Sequence, residues 1–514
     1  MEEPKKDIIE PVQPDHGYGS VEKIDDAANR EFYGGSVSDS YRLKSELVSK
    51  CLEDIGMGRY QWELFVVTGF GWITDNFWSQ GIGTVQPLIK LEFSDITVIS
   101  YSSVAYYVGL IVGAFFWGVS ADFIGRKPAF NATLLIGGVF ACAAGGTQNF
   151  IAFSCIWAVI GTAAGGNVPV DSLIFLEFVP GSHQWLLTAL SAWWNFGQVI
   201  VSLFGWVFQA NFSCAAGSTW ETCRRSDNMG WRYLLMTLGA LTLAFAFIRI
   251  VVFQMPESPR YLLSKGRDAE AVDAVNFVAR RNGKAEPLTL DMLQDIDVQL
   301  GLTVDYEGEG RGLSRVEVMR DNFKDFKGVE YSKLFANKKL GLHTGLIWLI
   351  WLTIGWPECG GGQKGRVGRY FNFLPSYLAQ KFTAKSSLYL TYRNYCIISS
   401  VGVVAIVTGI FLFAYVGVDT PTADLAFSCV TGLLGNFEYA IMYAFTPESF
   451  PGPHRGTGTG TAATLLRFGG LCASLIASHT GFTAVPIYVS AAMWVLVGLI
   501  SFGFPFETHG HAAI

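Results

Sequence analysis

The chain is poor in charge. Only 16% of its 514 residues are Asp, Glu, Lys or Arg, against roughly 25% in an ordinary soluble domain, which disfavours a soluble enzyme. It also lacks a basic surplus: 37 Lys and Arg face 43 Asp and Glu, so there is no electrostatic footprint for nucleic acid. No CxxC pair and no HExxH string occurs, and most of the nine Cys lie inside apolar runs, where thiols behave as small hydrophobes. Metal and thiol catalysis therefore gain no support, and no cofactor is expected. A GxxxxGK[ST] phosphate loop is also missing, so ATP-driven pumping is unsupported. What is present is apolar: 50% hydrophobic residues, 14% aromatics and 57 Gly, a composition suited to close-packed helices in a lipid bilayer. Outside a polar start (1–61) and a polar middle (255–339), the remaining length has room for about eleven or twelve spans of roughly 20 residues. An all-α polytopic membrane protein is the expected fold class.

The start, residues 1–61, is charged and Pro/Gly-rich and is expected to be a disordered cytosolic tail. Six apolar runs follow within residues 62–254: about Trp62–Gly83, Ile96–Ser120, Ala129–Gly146, Phe150–Val170, Leu186–Phe208 and Trp231–Phe253. The middle loop, 255–339, carries patches such as Asp268–Arg281 with the pattern of an amphipathic helix. Basic residues in short loops set orientation. Arg126 and Lys127 after the second run, and Arg260, Lys265 and Arg267 after the sixth, place the amino terminus and the middle loop in the cytosol. The loop between the fifth and sixth runs then faces outward. It holds a glycosylation sequon at Asn211, which with the nearby cysteines favours the plasma membrane or a vacuolar one, the plasma membrane being the expected location. Cys214 and Cys223 in that loop are candidates for a disulfide, although Arg224 and Arg225 beside them run against the charge rule. Arg249, near the cytosolic end of the sixth run, is expected to snorkel to the interface.

The loop after the second span reads Gly118-Val-Ser-Ala-Asp122-Phe-Ile-Gly125-Arg126-Lys127. Gly serves the tight turn, and the Asp and basic pair are suited to bridging neighbouring helix ends; an ordinary positive-inside loop is the plainer alternative. The string resembles the GxxxDxxGRK signature of the major facilitator superfamily. Two more strings agree: Met255-Pro-Glu257-Ser-Pro-Arg260 resembles the PESPR element of sugar porters, and Thr446-Pro-Glu448-Ser-Phe-Pro, followed by His454-Arg455-Gly456, resembles its second-half counterpart. The first span, around WELFVVTGFGWITDNFW, and the fourth, GGNVPVDSLIFLEFVPGSHQW, are most similar to a fungal branch related to synaptic vesicle glycoproteins and organic-ion-transporter-like proteins. Sugar porters usually place Arg-Gly after the Glu-x-x-Pro of the fourth loop. Here Glu177 and Pro180 are followed by His183-Gln184, which weakens a hexose assignment. The resemblance implies two six-helix halves, an alternating-access cavity near the midplane, and a cytosolic latch for which Gly118, Asp122, Gly125, Arg126, Lys127, Glu257, Arg260, Glu448 and Arg455 are the candidates; Asp171 and Glu177, near the cytosolic end of the fourth span, are either gate or latch residues or solvated loop charges.

Ionisable groups inside a bilayer cost several kcal/mol unless they face a cavity or a partner. Asp75, followed by Asn76, lies mid-span and is the candidate proton carrier; a packing role is the alternative. Arg467 lies near the middle of the run Thr457–Ser478, suited to an anionic group or a carboxylate, with Glu438 of the preceding span as an available partner. Asn195 and Gln198, three apart among tryptophans, form a face able to hydrogen-bond and stack a polar ring, or simply to pack.

The second half, residues 340–506 before a short tail at 507–514, departs from the expected pattern. Runs are legible at about Leu340–Trp356, Tyr395–Val418, Leu425–Phe445, Thr457–Ser478 and Ala484–Phe504, five rather than six, which makes eleven spans. The second Asp-x-x-Gly-Arg loop is absent, a Gly-rich stretch at 357–369 looks inserted, and the run around Gly402 looks like two spans joined. An altered splice form or gene product is one reading and a true eleven-span variant is the other. The expected function is a secondary transporter of a small polar organic solute, coupled to protons, with no enzymatic activity. A receptor, sensor or inactive product on the same scaffold is the rival.

Overall fold

A computed structural model describes residues 38–93, 96, 99, 101–214, 218, 221–302, 331–356, 421–480 and 485–501. Everything regular among them is helical. Six long helices make the first half: α2 (Arg59–Glu92), α3 (Tyr101–Phe123), α4 (Arg126–Ala144), α5 (Phe150–Phe178), α6 (Ser191–Asn211) and α7 (Gly230–Phe247), the last continued by a π turn at Ile248–Val252. A shorter helix, α1 (Asp39–Ile55), precedes them. The middle loop contributes α8 (Pro259–Ser264), α9 (Asp268–Arg281) and α10 (Leu290–Gln299). Described in the second half are α11 (Lys338–Ile354), α12 (Pro421–Ser449), α13 (Arg455–Thr480) and α14 (Val485–Ser501). Five of the described helical stretches are long and apolar enough to cross a membrane by length and composition.

Local signals explain the boundaries. Asn149 caps α5 by accepting the Ala152 N–H at 2.7 Å, and Asn337 caps α11 by accepting that of Leu340 at 2.8 Å. Ser258 caps α8, whose first residue is Pro259, where a missing N–H costs nothing. Gly125 stands between α3 and α4 at φ +105°, a backbone conformation that side chains disfavour.

Glycine also sets the packing inside the first half. A methyl group at Gly109 or Gly113 of α3 would overlap the backbone of Ala158 or Thr162 on α5, and Gly161 and Gly165 return the contact against Tyr106 and Leu110. Bare backbones let these two helices approach closely, which is how membrane helices gain dispersion without a hydrophobic driving force.

One expectation changes. Residues 1–61 are not one disordered tail: Ser38 caps α1, whose Tyr41, Lys44, Val48, Leu52 and Ile55 are buried. Those side chains recur at helical spacing, a pattern the Pro/Gly-rich start obscures. The helix Asp268–Arg281, by contrast, forms over the residues its amphipathic pattern marks. The span at Tyr395–Val418, the stretch 357–369, the join near Gly402 and hence the number of spans all lie outside the described residues.

Candidate functional site

The short α3–α4 connection ties the two halves together at one end, cytosolic by the charge rule. The backbone N–H groups of Gly456 and Thr457 donate to the Asp122 carboxylate at 3.2 and 2.7 Å, and the Thr457 hydroxyl adds a bond at 2.9 Å. Asp122, on the first half, thus caps the amino terminus of α13, on the second, where the helix dipole favours an anion. The backbones meet because both sides are bare: a Cβ at Gly118 would sit 2.5 Å from the Gly460 Cα.

Arg126 lies under this contact. Its guanidinium stands 3.5 Å from Asp122 and 3.3 Å from Glu177, and it donates to the Gly452 carbonyl at 3.1 Å. Glu257 takes the Arg126 and Ser258 backbone N–H groups at 2.9 and 3.0 Å and also accepts from Lys127 N–H. A side chain at Gly125 would collide with that carboxylate. Burial holds the Glu257 carboxyl above the usual range, against those N–H donors and Arg126. Arg260 reaches the Ser49 hydroxyl of α1 at 2.9 Å, and burial together with neighbouring Arg455 pushes its guanidinium down to about 10. Arg455 donates to the Phe450 carbonyl at 3.1 Å. Glu448 is half-buried at the end of α12.

Asp171 does not join this cluster. It pairs instead with Arg249 at 3.2 Å, both side chains fully buried. Arg249 therefore does not snorkel: it donates to the carbonyls of Phe130 at 2.7 Å and Val67 at 2.8 Å, and lies over the Phe130 ring. The sequence could not separate an interfacial Arg from this one, because its acceptors are backbone carbonyls on two other helices.

Toward the middle of the bundle Asp75, 1% exposed, faces Arg467 of α13 at 3.6 Å. Arg467 thus pairs across the halves rather than with Glu438. Glu438 is fully buried, and neither of its carboxylate oxygens has a hydrogen-bond partner among the described residues. Asn76 donates to the Trp194 carbonyl at 2.7 Å, and Asn167 donates to the Thr74 hydroxyl at 3.2 Å. Gln198 is buried and Asn195 half-buried. Rings from both halves gather nearby: Trp72 meets Tyr443 at 5.1 Å, Tyr443 meets Trp351 at 4.7 Å, and Trp194 meets Tyr439 at 6.0 Å. Sequence reading marked the tryptophans around Asn195, Trp194 among them, but missed Trp72, Trp351, Tyr439 and Tyr443, because aromatics in apolar runs carry no sign of which face is inward.

At the opposite end the sequence also gave no warning of Glu92 and Arg232, which form a two-pronged ion pair at 2.6 and 2.7 Å, with Trp231 N–H donating to the same carboxylate. Cys214 and Cys223 are joined by a disulfide. Asn211 is exposed, at the end of α6.

Residues 19–297 match the family described as sugar (and other) transporter. The chain is 64% identical over 98% of its length to the major facilitator-type transporter hxnZ of Emericella nidulans, covering 94% of that protein. It is 40% identical to the MFS siderochrome iron transporter 1 of Ceriporiopsis subvermispora, over 94% of each chain. The niacin transporter NiaP of Acinetobacter baylyi is 22% identical over 84% of this chain and 90% of its own. Among solved structures, the proton:xylose symporter XylE bound to 6-bromo-6-deoxy-D-glucose shares the fold with a TM-score of 0.60, at 13% identity over 87% of this chain and 96% of that one.

Proposed function

The chain belongs to the sugar and other transporter family of the major facilitator superfamily, and on that premise we propose that it carries a small polar organic solute together with protons by alternating access. It is an integral multi-pass membrane transporter and not an enzyme. The observation that carries the finer reading is the Asp75–Arg467 pair, buried at the junction and drawn from opposite halves at 3.6 Å. In a low-dielectric site the two charges hold each other. A proton on Asp75 releases Arg467, and a solute with an anionic or strongly accepting group takes its place. Proton and solute then enter together, because each removes the cost of the other. Trp72, Trp194, Tyr439 and Tyr443 offer ring faces beside that charge, suited to a flat ring. Niacin, named for one relative, combines a carboxylate with an aromatic ring and is the first probe, with xylose as the neutral comparison. The exposed Asn211 and the disulfide of its loop support an outward face at the plasma membrane.

The test is uptake by reconstituted vesicles with and without an inward proton gradient. Wild type accumulates the niacin probe more than xylose, and Asp75→Asn reduces gradient-driven accumulation about tenfold relative to solute exchange without a gradient. Accumulation that ignores the gradient in wild type, or an Asp75→Asn protein as gradient-responsive as wild type, overturns the reading.

A further inference from the structure

Asp171 sits against the backbone of α2 where Gly71 leaves no side chain between them; a Cβ at that glycine would overlap the Asp171 carboxylate. Gly71 and Asp75 are one helical turn apart, and the two carboxyls lie within electrostatic range of each other. The Asp171–Arg249 pair is not a saturated structural bridge. One carboxylate oxygen faces Arg249, while the other, Oδ1, is buried with no hydrogen-bond donor among the described residues. Arg249 keeps two backbone acceptors, the carbonyls of Phe130 and Val67, whatever the state of Asp171. Neutralising Asp171 therefore removes one bond and leaves the guanidinium anchored. Further along α5, about 9 Å on at 1.5 Å per residue, Glu177 faces Arg126 at 3.3 Å in the latch. Carboxylates thus descend in steps from the central pair to the cytosolic end, each beside an Arg: Asp75 with Arg467, Asp171 with Arg249, Glu177 with Arg126.

We propose that Asp171 is a second proton carrier, between Asp75 and the cytosolic end, with Arg249 as its positioning residue. The proton that leaves Asp75 as Arg467 closes on it arrives on Asp171 Oδ1, making that group a neutral acid. It then leaves toward the cytosolic end and restores the carboxylate facing Arg249. This rests on the proton-coupled reading of Asp75, and the test separates the two. Protein reconstituted with one orientation on a solid-supported membrane, with no solute present, is given pH jumps from either side, and the charge displaced is recorded. In wild type both sides displace charge. In Asp171→Asn the ratio of cytosolic-side to outer-side displacement falls about fivefold, Asp171→Glu restores it, and Gly71→Ala, which crowds the carboxylate while keeping its charge, lowers it too. The paired Asp171→Asn/Arg249→Gln variant leaves no unpaired charge and shows the same fall if folding of the single variant is compromised. A wild-type ratio in both Asp171→Asn and the paired variant overturns the relay while leaving Asp75 untouched. An Asp75→Asn protein that displaces charge from both sides as wild type does overturns the reading beneath it, and the relay with it.

Discussion

Arg232 and Glu92 show how much one buried pair carries. The Arg232 side chain is 1% and that of Glu92 7% exposed, and Arg232 also donates to the Thr147 carbonyl at 3.0 Å, so α2, α7 and the turn between α4 and α5 are pinned together by one guanidinium. Replacing Arg232 with Ala strands a buried carboxylate, at a cost of about 3–5 kcal/mol, read as a large drop in the thermal midpoint of the solubilised protein. The double replacement Arg232→Leu/Glu92→Leu is expected to recover most of that loss, since two apolar groups need no partner. Equal losses in single and double variants would count against the pair and point to packing alone. The same logic applies to Gly125, where a side chain meets both a strained backbone and Glu257.

Among the elements, α1 depends most clearly on one side chain. Lys44 forms ion pairs with Asp268 of α9 and, at 2.6 Å, with Asp297 of α10; Ser40 donates to Asp297 at 2.6 Å. Burial by itself lowers the Lys44 pKa, but the two carboxylates outweigh it and hold the ammonium above the usual lysine range. A base with a raised folded-state pKa contributes stability that is complete below its unfolded pKa and lost as pH rises through the folded one. Docking of α1 should therefore withstand neutral and mildly alkaline pH and loosen only above the usual lysine range. Limited proteolysis within Asp39–Ile55, followed against pH, tests this. Lys44→Met is expected to expose the segment already at pH 7; unchanged protection would show that Val48, Leu52 and Ile55 suffice.

For the whole molecule, the contact between α3 and α13 joins the two halves at one end. Asp122 caps α13 across the halves, and Gly118 and Gly460 allow the backbones to touch. A valine at Gly460 has no room against Gly118, so Gly460→Val should hold the cytosolic end apart. A cysteine introduced at Ala463, 5% exposed in wild type, should then react with a polar maleimide applied from the cytosolic side about tenfold faster. An unchanged rate would place the closing contact elsewhere.

Much of this was legible without coordinates. Long apolar runs must become helices in a bilayer because no water there can satisfy backbone groups, and the Gly-Asp-Gly-Arg string between two such runs points to a latch through its resemblance to the major facilitator signature. Asp75 stands out because a mid-span carboxylate is costly. Partner choice was not legible. Arg467 meets Asp75 of the other half, Asp171 meets Arg249, and Arg249 spends its donors on carbonyls, each a contact between residues far apart in the chain whose charges alone permit several pairings. The burial of α1 was hidden for a related reason: its Lys44 reads as a solvated charge until α9 and α10 supply the two carboxylates. Composition and spacing determined the solvent and the helices, because those follow from local chemistry, and resemblance to a family signature pointed to the latch string; which charge neutralises which was decided only by the packing of the helices, because a buried ion takes whatever counter-ion or carbonyl the fold brings within reach.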